Sequence, residues 1–277
     1  MGNKVNLNQS WRKMAAAIFE KPVDGKVSGI HDLDLTEVNK AMEIWNANGY
    51  RVTVMHVFMS ALGKILTHYA PELNCYCQWG KVVQRTDVTV ATTVLVGKDL
   101  TTVKIQHADR KSILELSNET NAYVQKRRKG SDDKVLAKRH SLSKVPWPIR
   151  KWLFQSLKWL TYELGIEIPG TGFSTNMFGS VLVTNIGAIG IDYGIPALMP
   201  ASNLSFVMAL GKAQEKPVVR NGEIVIGHVL PIAGTFDHRI VDGFHISKML
   251  DGLNHYFANP LDLLTPEELE NLHQISK

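Results

Sequence analysis

Thr235-Phe236-Asp237-His238-Arg239-Ile240-Val241-Asp242-Gly243 is the stretch around which the chain is organised. His238 is followed, after three intervening residues, by Asp242 and Gly243. An apolar run (Val229, Leu230, Ile232) leads into it, and Ile246, Met249, Leu250 and Leu253 follow at helical spacing. The pattern reads as strand, loop, helix. A histidine at the mouth of a strand is well placed as a general base, because imidazole exchanges its proton near neutrality. Gly243 permits a tight bend after Asp242. The same residues also read as a surface loop with an incidental histidine, and the spacing alone does not separate the two.

Upstream, Asn221-Gly222 is the strongest short-range hairpin signal in the chain. It joins Val218-Val219-Arg220 to an extended run from Glu223 to Val229, which delivers the chain to His238. Leu204 to Leu210 and Ser180 to Ile186 are apolar strands, the second ending in Thr184-Asn185 before the loop of Gly187, Gly190, Gly194 and Pro196. Val88, Val90, Thr92 and Val94 alternate, Gly97-Lys98-Asp99 turns the chain, and Leu100 to Ile105 returns it. Val27 to Leu35 and Lys81 to Gln84 complete the strands.

Helices are expected over 10–20, after a Thr36 cap, over 53–69 with Thr53 as cap, and from Asp109 through Val124. There is no internal repeat and no long linker. The pattern predicts one α/β (α+β) domain over 1–277, a mixed sheet with helices on one side.

Composition bounds the function. Of 277 residues, 44% are apolar and 21% charged, as in a folded globular protein. The formal charge of +5 favours anionic partners such as nucleotide phosphates, acidic proteins or lipid head groups. No Lys/Arg block alternates with aromatics, so nucleic acid is not an expected partner. Cys75 and Cys77 read as buried free thiols, and His56 and His68 as ordinary helix histidines. No apolar run approaches the ~18–20 residues of a membrane span and no signal peptide is visible, so the cytoplasm is expected.

Asp237 to Gly243 resembles the active-site motif of the dihydrolipoamide acyltransferase (E2) catalytic domains of 2-oxoacid dehydrogenase complexes. Chloramphenicol acetyltransferases share its His-x-x-x-Asp-Gly core. Lys216 to Ile224 resembles the family's preceding hairpin, and Val183-Thr184-Asn185-Ile186-Gly187 its Thr-Ile-Ser-Asn-Leu-Gly strand. Ala108 to Leu116 and Tyr69 to Asn74 resemble further segments. The similarity covers residues 10–130 and 176–264.

The resemblance implies a chloramphenicol acetyltransferase-like fold and acyl transfer between a coenzyme A or dihydrolipoamide thiol and an acceptor thiol, hydroxyl or amine. It implies His238 as the base and Thr184 as the oxyanion donor, with no covalent intermediate and no metal. Asp242 has either a structural, orienting role, with Arg12 as its partner, or a direct one; Gly243 shapes the turn. Arg239 is another partner or simply exposed. The resemblance further implies a homotrimer, each site taking His238 from one chain and Thr184 from its neighbour.

Three departures from the family pattern shape the expectations. No lipoyl or subunit-binding segment is visible, so the acyl donor is acyl-CoA, an acyl carrier protein, or a lipoyl group supplied in trans. Residues 131–175 form an atypical insertion in which Ile149, Trp152, Leu153, Leu157, Leu160 and Leu164 follow helical spacing among Lys144, Arg150, Lys151 and Lys158. Residues 144–164 fit a helix packed on the trimer, a peripheral membrane or lipid contact, or a partner surface. Residues 265–277 add a helical extension, which favours a free trimer over a large cage. The leading expectation is a stand-alone CoA-dependent acyltransferase. The alternatives are an E2 core served by a lipoyl domain in trans and a non-catalytic trimeric scaffold.

Overall fold

The computed structural model describes residues 25–96, 99–128, 146–169, 174–199, 202–220 and 222–275. The expected helix over 10–20, Arg12 within it, and the tips of both hairpins at 97–98 and 221 lie outside the described residues, as does much of the 131–175 insertion.

The strands are β1 (Lys26–Asp34), β2 (Cys75–Gln78), β3 (Lys81–Gln84), β4 (Val90–Val96), β5 (Asp99–Ile105), β6 (Val181–Asn185), β7 (Phe206–Leu210), β8 (Gln214–Arg220) and β9 (Glu223–Asp237). The helices are α1 (Thr36–Ala47), α2 (Val54–His68), α3 (Ile113–Arg128), α4 (Trp147–Tyr162), α5 (Gly243–Ala258) and α6 (Pro266–Ile275). The main sheet is seven-stranded and mixed, in the order β1-β9-β7-β6-β4-β5, with β8 pairing β9. β6 lies parallel to β4 and β7, and the other pairs are antiparallel. β2 and β3 form a separate ribbon.

The layer of α1, α2, α3 and α5 covers one face of this sheet, as the sequence predicts. α2 is buried on nearly every side except near its ends, Val57, Phe58, Ala61, Leu62, Ile65 and Leu66 among its buried residues. Burial on every side is what a central helix of a layer requires. α5 crosses it at Gly252, where a Cβ would stand 2.7 Å from the Ile65 side chain, and Phe58 meets Phe257 edge-on at 6.3 Å. On the sheet, period-two alternation sends Val183, Met208, Ile232 and Phe236 into this core. The opposite face carries a smaller cluster of Leu198, Leu204 and Val207 with Phe178 and Leu182.

β9 explains why the sequence around His238 is organised as it is. Its first half, before Val229, is mostly exposed and pairs with β8. From Val229 onward every residue is buried, because β1 and β7 flank it on both sides.

Local signals were mostly legible, with corrections. Thr36 does not cap α1: the Asp34 carboxylate accepts from the Thr36 backbone N–H at 2.8 Å and its hydroxyl at 2.6 Å. Asp109 does not open α3, which begins at Ile113 behind a reciprocal Ser112–Glu115 cap. Thr53 does cap α2, with His56 accepting from its N–H at 3.1 Å. α4 begins at Trp147, and Trp152 and Trp159 on it are exposed. α6 is capped by Thr265 and Glu268, and Glu268 also accepts from the Ser112 hydroxyl at 2.7 Å. Among the described residues no helix is long and apolar enough to cross a membrane.

Candidate active site

His238 stands one residue past the end of β9, where burial gives way to partial exposure. Its backbone N–H donates to the Gly25 carbonyl at 2.6 Å. Its ring Nδ1 lies 2.6 Å from the Val241 carbonyl. A carbonyl can only accept, so Nδ1 carries the proton and Nε2 is the basic nitrogen of the neutral ring. The loop that makes this bond is held from below. Ile240 and Val241 both donate their N–H to the Asp237 carbonyl at 2.9 Å. Burial of Ile240 and Val241 fixes the loop from its apolar side.

Arg239 is neither exposed nor the partner of Asp242. It is 7% exposed and forks onto the Asp237 carboxylate, Nε at 2.9 and 3.1 Å and Nη2 at 2.5 Å. Burial alone pulls a guanidinium towards neutrality, and Asp237 outweighs it, so Arg239 stays charged. The sequence reading gave Asp237 no role. Only the folded pairing shows that two adjacent charges flanking His238 neutralise each other beneath it.

Asp242 is the N-cap of α5. Its carboxylate accepts from the Phe244 and His245 N–H groups, and the His245 ring Nδ1 lies 2.5 Å from it. Asp242 therefore helps to fix where the helix begins, and thereby the position of Val241 and the His238 ring. Gly243 is the first residue of α5, and a Cβ added there would meet nothing. The space at Gly243 does not explain the glycine.

Thr184 lies on β6. Val183 beside it faces the core, so Thr184 faces the opposite side of the sheet, half-buried. Its hydroxyl oxygen accepts from the Thr93 hydroxyl of β4 at 2.9 Å. Just past the strand, Gly187 packs against Gly211, whose carbonyl would stand 2.3 Å from an added Cβ. Asn185 closes the turn by accepting from the Ala188 N–H at 3.0 Å. The structure does not bring Thr184 to His238 within one chain. Thr184 is level with Ala209 and, through it, with Ala233, five residues before His238.

Cys75 and Cys77 are buried, and Cys75 donates to the Glu72 carbonyl at 2.9 Å. His56 is a buried capping residue whose proton affinity burial lowers to about 4.

The model of the 2-oxoacid dehydrogenases acyltransferase (catalytic domain) family matches residues 4–134 and 175–265. The chain is 26% identical over 262 residues to the dihydrolipoyllysine-residue acetyltransferase component of the pyruvate dehydrogenase complex of Staphylococcus epidermidis, covering 91% of this chain and 51% of the relative. The cubic core of the pyruvate dehydrogenase multienzyme complex superposes with a TM-score of 0.63 at 16% identity, covering 96% of this chain and 95% of that one. A chloramphenicol acetyltransferase gives 0.54 at 14% identity, covering 93% and 100%. The fold is thus the one shared by these two groups. The chain spans about half the length of the relatives it matches in sequence.

Proposed function

Because the chain belongs to the 2-oxoacid dehydrogenase acyltransferase catalytic-domain family, we propose that it moves an acyl group between coenzyme A and a second thiol, dihydrolipoamide being the one its relatives' names point to. It is an acyltransferase, and the observation that carries the mechanism is the His238 Nδ1 bond to Val241, which presents Nε2 as a base.

The proposed cycle uses this chain's residues as follows. Nε2 of His238 takes the proton of the attacking thiol. The thiolate adds to the thioester carbonyl, and the carbonyl oxygen becomes an alkoxide. A hydroxyl of Thr184 donates to that oxygen. The intermediate collapses, the C–S bond to the first sulfur breaks, and the leaving thiolate recovers the proton from His238. Asp242 and Asp237 act at one remove, the first by capping α5 and the second by neutralising Arg239.

His238 and Thr184 sit at different levels of one sheet, which supports a site shared between neighbouring copies in a homotrimer. An acyl carrier protein or a lipoyl-bearing protein is the kind of partner this reading accommodates. Thiol release from acetyl-CoA, with and without free dihydrolipoamide, tests the acceptor. Release only with dihydrolipoamide favours the lipoyl-linked reaction. Equal release with an alcohol or amine favours a stand-alone CoA-dependent transferase. A His238→Ala variant with wild-type turnover would leave only the scaffold reading.

The exposed Ile149, Trp152 and Trp159 of α4 are where the sequence-based expectation of a lipid or partner contact falls. Co-sedimentation of the full chain with anionic, but not neutral, vesicles is the outcome that reading requires.

A further inference from the structure

We propose that Thr93 is a positioning residue for the oxyanion donor: by giving its own proton to Thr184, it directs the Thr184 hydroxyl towards the acyl oxygen. The inference rests on the assignment of Thr184 above and extends it to a residue the sequence offered no reason to single out.

The placement follows from the sheet. β4 and β6 run parallel, with Thr92 opposite Val183. Both of those side chains are buried on the helix side. The next residue of each strand therefore faces the other way, which sets Thr93 beside Thr184 on the sheet face that the helix layer leaves free. Their hydroxyls are 2.9 Å apart, with Thr93 as donor.

A hydroxyl has one proton and two acceptor positions. An isolated Thr184 is free to spend its proton on any nearby carbonyl or water. With one lone pair occupied by Thr93, its oxygen is fixed and its proton is left to point away from β4. Accepting one bond also strengthens the next bond a hydroxyl donates, because the two polarise each other. A donor held ready in this way needs no reorganisation when charge develops on the substrate. Threonine is also simply a good strand residue, and that alone would account for Thr93. The hydrogen bond to the proposed donor is what strand propensity leaves unexplained.

The test uses the purified full chain with acetyl-CoA and dihydrolipoamide. Valine keeps the shape of threonine and its strand preference, so Thr93→Val is expected to fold, with its melting temperature as the control. The inference expects kcat about tenfold lower, as for loss of one orienting hydrogen bond, with KM within about twofold. Thr93→Ser restores the hydroxyl and should recover wild-type kcat. In a Thr184→Ala background, Thr93→Val should cost nothing further. An unchanged kcat in Thr93→Val overturns the inference, as does an equal loss in both backgrounds or a serine variant no better than valine. A Thr184→Ala variant with wild-type kcat removes the oxyanion assignment itself, and this inference with it.

Discussion

Thr184 and His238 of one chain lie at different levels of the same sheet. The ladders place Thr184 opposite Ala209 and Ala209 opposite Ala233, and His238 stands five residues further along. At ~3.3 Å per residue that is about 17 Å along the strands, with two strand spacings of ~4.8 Å across them. A base and an oxyanion donor acting on one thioester must each come within about 3 Å of it. One chain does not bring the two residues together, and a site shared between rotationally related copies is what the proposed mechanism therefore calls for.

Removing the Thr184 hydroxyl should slow chemistry and leave substrate binding largely intact. Thr184→Ala is expected to lower kcat on the order of a hundredfold. Thr184→Ser should retain most activity, since the hydroxyl remains. Steady-state kinetics with acetyl-CoA and dihydrolipoamide checks this, and a change confined to KM would speak against an oxyanion role.

Asp237 should matter for stability. Asp237→Ala leaves the buried Arg239 charge unpaired, at an expected cost of about 3–5 kcal/mol. Replacing both residues by apolar ones of similar volume should cost much less, because no buried charge then remains. Denaturant unfolding of the two variants compares them directly.

His56 gives stability a pH dependence. Burial lowers its folded-state affinity for a proton to about 4, below the ordinary 6.5 of the unfolded chain. Between these values the unfolded state binds more protons, so stability falls as the pH drops. The full contribution is present above about pH 6.5 and is lost progressively towards pH 4. The loss is on the order of 3 kcal/mol. A His56→Gln variant should show a flatter stability profile over that window, measured by urea unfolding at several pH values.

The sheet was legible wherever its residues alternate or run apolar, as in Val90 to Val96 and Phe206 to Leu210, because burial dictates those patterns. The hairpin at Asn221-Gly222 was legible through its turn chemistry, and the helix after Gly243 through the helical spacing of Ile246, Met249, Leu250 and Leu253. What escaped depends on contacts made only in the folded chain. Arg239 looks like a surface charge until folding buries it against Asp237, two residues away. The Thr93 hydroxyl reaches Thr184 only because β4 and β6 pair across 91 positions. The caps were misplaced by two or three residues because local side-chain geometry decides them: Asp34 accepts from Thr36 before α1, and Ser112, rather than Asp109, opens α3. His238 was readable from its motif, yet its basic nitrogen was not, since the Val241 carbonyl fixes the tautomer.

The most direct measurement mixes two inactive variants. His238→Ala and Thr184→Ala chains, unfolded together in equal amounts and refolded, will form mixed oligomers. In a trimer with shared sites, each site has one chance in four of receiving both intact residues, so activity should return to about a quarter of wild type. A mixture that forms mixed oligomers yet stays as inactive as either variant alone would contradict a site built from His238 of one chain and Thr184 of the next.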